Sequence, residues 1–312
     1  MPNKSSGEIG IGLSEDKWEI LLDRIESEKC TPFIGAGACH GTLPGGAQLA
    51  IELADKYEYP LSDKDDLQRV SEYISMRYDS LFPKNKISKY IADKGLPDFN
   101  IQNEPHMLLA ELDLPIYITT NYDNFMVKAL EKNNKKVEMD FTRWNRFSEH
   151  IGEQSVFDTK YQPDAEHPLV FHLHGCCEHP QSMVLTESDY LDFLVNLSRD
   201  KDFLPPAIVE ALVGSSLLFV GYSLNDWTLR VLFRGLMSSM RANLGCRSIA
   251  VQLAPEKGMS VERQERARKF LDDYFDRHFK VEIDVYWGEA TQFMTELRER
   301  CGLTEEVKKN AG

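Results

Sequence analysis

Pro115-Ile-Tyr-Ile-Thr-Thr-Asn-Tyr-Asp-Asn-Phe125 runs from an apolar, β-branched segment straight into small polar side chains. An apolar run without polar alternation marks a strand covered on both faces, as in a parallel α/β sheet, and ligands gather at the carboxyl edge of such strands. Asn121 and Asp123 fall at that edge. Two readings of the polar cluster are open here. Thr119, Thr120, Asn121 or Asp123 caps the helix that follows, since these residue types satisfy free N–H groups at a helix start, or the cluster carries chemistry. The same design recurs at 33–37, 169–175 and 217–223. Four strand tips of one kind imply a shared crevice, and that recurrence favours chemistry.

Composition narrows the classes. The chain has 312 residues, 42% hydrophobic and 28% charged, and its sequence holds no uninterrupted apolar run long enough to cross a bilayer. No membrane association is expected. Residues 1–12 are polar and contain Gly and Ser, so they read as a flexible arm and not a signal peptide, and a cytoplasmic location follows as the expectation. Six cysteines, at 30, 39, 176, 177, 246 and 301, form no Cys-x-x-Cys pair, which points to reduced thiols. The net charge of −14 opposes direct binding to nucleic-acid phosphates. The organisation expected is an arm at 1–14, one catalytic α/β domain at 15–300 and a tail at 301–312. Within the domain, 61–114 reads as a helical insertion and 176–213 as a small helical module.

Taken in order, Trp18, Ile20, Leu21, Leu22 and Ile25 recur at helical spacing and predict a helix over 15–29. Cys30-Thr-Pro-Phe-Ile-Gly-Ala-Gly-Ala-Cys-His-Gly41 then joins a short strand to a glycine turn. Glycines there let the backbone approach a pyrophosphate, or they serve only a tight turn. Gly35-x-Gly37 is followed by Gly41, one position late for the dinucleotide fingerprint. Cys39 beside His40 reads as a small buried thiol and not as a nucleophile, because neighbours on a turn seldom point at each other. Leu67, Val70, Tyr73, Ile74 and Met76, then Ile87, Tyr90 and Ile91, make two helical stripes in the insertion, and a third helix spans 106–112. A strand is expected over 137–141 and a polar surface loop over 142–167. Arg143 and Arg146 in that loop are either solvated or within reach of a phosphate.

Pro168-Leu-Val-Phe-His-Leu-His-Gly175 places His172 and His174 on one side by strand periodicity, with Gly175 breaking the strand. His174, last before the glycine at the crevice edge, is the better-placed general base. Residues 183–213 read as helical. Ser215-Ser-Leu-Leu-Phe-Val-Gly-Tyr-Ser-Leu-Asn-Asp226 is the fourth strand and turn, carrying Gly221, Ser223 and Asp226. Helix to about residue 240, a strand at 248–253, a charged amphipathic helix at 261–279 and a strand at 281–287 complete the expected order.

Taken together, Gly35-Ala-Gly37, Thr119-Thr-Asn-Tyr-Asp123, Leu173-His-Gly175, Val184-Leu-Thr-Glu-Ser-Asp-Tyr190 and Phe219-Val-Gly-Tyr-Ser-Leu-Asn-Asp226 resemble, in order and spacing, the sirtuin-like family of bacterial defence proteins. The resemblance covers about residues 28–290. It implies a Rossmann-like, mostly parallel sheet with helices on both faces that binds NAD as a substrate and hydrolyses it, depleting the infected cell's pool. In those terms Asn121 orients the attacking water or a ribose hydroxyl, His174 is the general base and Asp123 supports the site. Gly35, Ala36 and Gly37 would cradle the pyrophosphate. Thr120, Gly221, Ser223 and Asp226 would complete the cofactor contacts. Protein-deacylating sirtuins carry a zinc module of two Cys-x-x-Cys pairs after the histidine, whereas Cys176, Cys177 and His179 are spaced unsuitably for tetrahedral zinc. No metal is therefore expected. Deacylation, ADP-ribosyl transfer and a non-catalytic NAD-binding scaffold are the other readings. The resemblance also implies a homo-oligomer switched on by a separately encoded trigger, an ATP-driven helicase or translocase or an Argonaute-type protein, which would make any nucleic-acid contact.

Overall fold

The apolar runs of the sequence become seven strands in the computed structural model, which describes residues 12–149, 154–200, 202–222, 248–252, 262–263, 265–267, 269–270, 273, 283–287 and 290–303. These are β1 (Cys30–Ile34), β2 (Ile116–Thr119), β3 (Glu138–Phe141), β4 (Leu169–His172), β5 (Ser216–Val220), β6 (Ser248–Gln252) and β7 (Ile283–Trp287). They form one sheet in the order β3-β4-β2-β1-β5-β6-β7, and every neighbouring pair is parallel. The chain moves outward from β1 through β2, then returns to the other side of β1 with β5. That reversal puts the topological switch point between β1 and β5, where open α/β sheets hold ligands.

Consecutive strand residues feed opposite cores, as the two-residue period of a strand requires. Phe33, Ile118, Phe171 and Leu217 face one apolar cluster, while their neighbours Ile34, Tyr117, Val170 and Leu218 face the other. The first is closed by α8 (Glu187–Arg199) and α9 (Pro206–Gly214). The second is closed by α1 (Glu15–Glu26), α5 (Pro105–Ala110), α6 (Phe125–Lys132) and α10 (Ala290–Arg300). Trp18 of α1, fully buried, stacks on Phe293 of α10 at 5.4 Å, so the first and last described helices share one face of the sheet. With helices on both faces, the architecture is the Rossmann-like α/β arrangement expected.

A third core lies off the sheet. Helices α2 (Gly46–Lys56), α3 (Leu67–Arg77) and α4 (Phe82–Lys94) bury Ala50, Leu53, Val70, Ile74 and Ile87 together with Met183 and Leu185, which precede α8. These three helices are thus fastened to the segment after β4. Lys84, on α4, drives this home: its ammonium lies 2.9 Å from Asp189 Oδ2 and over the Trp144 ring at 5.3 Å. Asp189 also closes a capping box with Thr186 at the start of α8.

Three local expectations are revised. Residues 142–167 are more than a surface loop, because they include the helical turn α7 (Arg146–Glu149) and the buried Trp144, whose indole donates to Ser182 O at 2.6 Å. Residues 183–213 are two helices preceded by an extended buried segment, Met183 to Leu185. Of the arm at 1–14, residues 12–14 are described, and Leu13 already packs on the core. The helix expected at 261–279 lies largely outside the described residues, as do the helix after Asp226 and residues 304–312 of the tail. No helix among the described residues is long and apolar enough to cross a membrane.

Candidate active site

Register builds the site. Thr119 of β2 pairs with His172 of β4, so Asn121 and His174 each stand two residues beyond neighbouring strand ends. On the other side, Ile34 of β1 pairs with Thr119 and with Val220, which brings the Gly35 and Gly221 turns alongside. Four strand tips therefore do converge on one edge.

The glycines have a structural job there. Gly221 has φ +76°, and a Cβ on it would come within 2.2 Å of Ala38 N. A Cβ on Gly37 would meet Gly221 O at 2.8 Å, and one on Gly35 would meet the Tyr222 ring at 2.8 Å. The two loops are interlocked by N–H donation from Gly35 to Val220 O and from Gly37 to Gly221 O. Those amides are spent on the fold, so the loop around Gly35, Ala36 and Gly37 offers a surface of close backbone approach more than a row of free N–H groups. Thr120 bridges the same loops, its hydroxyl hydrogen-bonded to the hydroxyl of Tyr222.

Asn121 is held by three hydrogen bonds. Its N–H donates to Thr119 Oγ1 at 3.0 Å, and that hydroxyl donates to Ile34 O. Its backbone carbonyl accepts from His172 Nδ1 at 3.0 Å. Its side-chain nitrogen donates to Cys39 Sγ at 3.3 Å, and Cys39 in turn donates to Asp123 Oδ2 at 3.3 Å. Asp123 Oδ1 accepts the N–H of Phe125, the first residue of α6. Asp123 thus satisfies an N–H at the start of α6, as the capping reading expects, and holds Cys39 with its other oxygen. Asn121 Oδ1 makes no hydrogen bond among the described residues.

The two histidines part company. β4 ends at His172, so strand periodicity does not carry on to His174, and the two rings have different neighbours. His172 is buried against Asn121, with its Nε2 unbonded among the described residues. His174 lies in the turn, edge-on to Tyr190 at 5.3 Å and Phe193 at 5.2 Å. Burial lowers the pKa of both rings, that of His174 to about 4, so each is neutral at physiological pH. Gly175, at φ +77°, then turns the chain so tightly that a Cβ would fall 2.2 Å from Ser182 O.

Sequence reasoning overlooked part of the network. Cys39 sits between Asn121 and Asp123, buried, its pKa pushed well up by desolvation and the neighbouring carboxylate. Behind it, buried His106 bonds through Nδ1 to Glu104 Oε1 at 2.7 Å. Cys39, His106 and Asp123 present ligand-type atoms within 4.8 Å of one another, a donor set that suits a cation in its residue types. Hydrogen bonds already engage all three. Arg143 is committed to Asp140 at 2.7 Å. Ser223 and Asp226 lie outside the described residues.

Comparison with known proteins adds a name to this geometry. A family profile described as SIR2-like domain matches residues 115–278. The chain is 27% identical to the NAD(+) hydrolase ThsA of Bacillus cereus (strain MSX-D12) over 280 residues, which are 88% of this chain and 54% of that protein. It is 25% identical to the NAD(+) hydrolase ThsA of Acinetobacter baumannii (strain 532279), over 68% of this chain and 41% of that protein. The ThsA of Cytobacillus dafuensis is 27% identical over 69% of this chain and 40% of its own length. The chain spans about half the length of these relatives or less.

Proposed function

This chain belongs to the SIR2-like domain family, and on that premise we propose that it is an NAD hydrolase, cleaving the bond between nicotinamide and ribose to release nicotinamide and ADP-ribose in antiphage defence. The observation that carries the reading is Asn121, clamped by three hydrogen bonds at the shared strand edge with its amide oxygen unengaged among the described residues, next to the tip that bears His174. Names of the relatives support the substrate.

Cleavage develops positive charge on the ribose, as in glycoside hydrolysis. Asn121 Oδ1 faces that charge as a fixed dipole, oriented before the reaction begins, and accepts a hydrogen bond from the attacking water or a ribose hydroxyl. His174, neutral because it is buried, takes the proton released. Asp123 holds Asn121 through Cys39 and does not touch substrate. The pyrophosphate lies over the interlocked turns at Gly35 to Gly37 and Gly221, where the lack of side chains lets it come close. NAD is a substrate here and no metal enters the mechanism.

Nicotinamide and ADP-ribose release from NAD, followed by chromatography, is the test. Formation of both supports hydrolysis. Acyl-ADP-ribose from an acylated peptide, without hydrolysis in any activated state, moves the reading to deacylation. Saturable NAD binding with no product in any state moves it to a scaffold.

A further inference from the structure

We propose that Cys39 is a positioning residue that fixes which end of the Asn121 amide faces the reacting sugar, using Asp123 as its anchor. The argument is one of hydrogen-bond polarity. A carboxylate oxygen accepts, so the thiol lying 3.3 Å from Asp123 Oδ2 has to be the donor. Having spent its proton there, the sulfur has only lone pairs left for its other polar neighbour, Asn121, also at 3.3 Å. The end of the amide facing it is therefore the NH2. The amide oxygen is thereby turned the other way, and it is the atom left without a hydrogen bond among the described residues. Asp123 cannot drift, because Oδ1 caps α6 through Phe125 N–H at 3.0 Å. A side chain far from Asn121 in sequence thus decides whether the crevice sees a carbonyl acceptor or an amino donor.

Two other uses of this thiol fit less well. As a nucleophile it would need to ionise, and burial beside a carboxylate opposes that. As a metal ligand with His106 and Asp123 it would have to give up the proton it donates to Asp123 Oδ2, and with it the contact that now holds the two side chains together.

The kinetic consequence rests on the hydrolase reading, whereas the orientation itself does not, so the two are tested separately. Asparagine-selective ¹⁵N labelling of the full chain, with Asn121→Asp to assign the signal, reads the Asn121 side-chain NH2 directly. In Cys39→Ser, whose hydroxyl donates and accepts in the same places, the NH2 pair should stay shifted and resolved as in the parent. In Cys39→Val, which fills the space without a polar atom, it should collapse to the position of a free amide. Should Cys39→Val not fold, Cys39→Ala serves the same purpose. For turnover, the valine or alanine variant should lose about 10²-fold in kcat, the scale of a misplaced reacting group, with KM changed far less. Serine should restore most of the loss. An NH2 pair indifferent to loss of the thiol overturns the proposal whether or not the protein hydrolyses NAD. So do serine and valine variants that are equally impaired, or a stoichiometric metal in the purified protein that Cys39→Ser loses. A parent without hydrolysis but with the NMR response intact overturns only the functional reading.

Discussion

His172 and His174 are separated by one residue, yet the end of β4 between them gives each a different neighbour. His172 ties the backbone of Asn121 down, and His174 stands against Tyr190 and Phe193. His174→Ala should therefore cost about 10² to 10⁴ in turnover, the usual contribution of a general base, with NAD binding and the fold retained. His172→Ala should chiefly destabilise, by about 1–3 kcal/mol for the orphaned Asn121 carbonyl and lost packing. A folded, silent His172→Ala beside an active His174→Ala would reverse the roles. Acidity offers a second handle on His174. Its pKa falls from 6.5 to about 4 on folding. Between those values the unfolded chain takes up a proton that the folded chain refuses, so this stabilisation is complete above pH 6.5 and is lost as the pH falls to 4. His174→Gln should flatten the decline of unfolding free energy with acidity in that window, measured by urea titration. His172 is shifted in the same direction and keeps part of the slope. An unchanged slope would show that His174 is not held neutral by burial.

Among the elements, the attachment of the insertion to the histidine segment is the contact whose loss should travel. Lys84 on α4 is almost wholly buried with Asp189 of α8, and Asp189 also accepts the N–H groups of Leu185 and Thr186. Lys84→Met leaves the part-buried Asp189 carboxylate without its cation. The expected cost is about 3 kcal/mol, with faster proteolysis within 61–101. Denaturation within about 0.5 kcal/mol of the parent, the range of ordinary surface changes, would show that the pair holds nothing. The sheet was legible in the sequence, since continuous apolar runs such as Ile116 to Thr119 and Ser216 to Val220 are what doubly covered strands require. The side chains between the tips were less so. Cys39 meets Asp123 across 84 positions, and no local period encodes such a contact. Trp144 was hidden in a polar stretch because its burial depends on Ser182, which arrives from beyond β4. Gly35, Gly37 and Gly221 were visible as glycines, but their reason, one loop packed into another, exists only in the assembled sheet.

At the scale of the whole molecule, the NAD hydrolysis proposed above would have to be silent until it is needed, and the described residues of one chain show a formed strand edge with Asn121 already clamped. A built site with controlled activity calls for a switch outside it. The net charge of −14 opposes direct binding to nucleic-acid phosphates, and we expect a signal of that kind to come through another protein. We predict that the chain works as a homo-oligomer with a separately encoded trigger, whose binding energy moves the population from off to on. A shift from about 1:99 to 99:1 takes about 5.5 kcal/mol of differential binding, which subunit interfaces can supply. Light scattering on the isolated chain should then show more than one subunit, and nicotinamide release should rise steeply when the product of a neighbouring gene is added. Because activation acts on the population, the added partner should raise the active fraction without altering the effect of Cys39→Ser or His174→Ala on each active molecule. A strictly monomeric chain that hydrolyses NAD at full rate in dilute solution would sink the prediction, for it would leave nothing for a partner to shift.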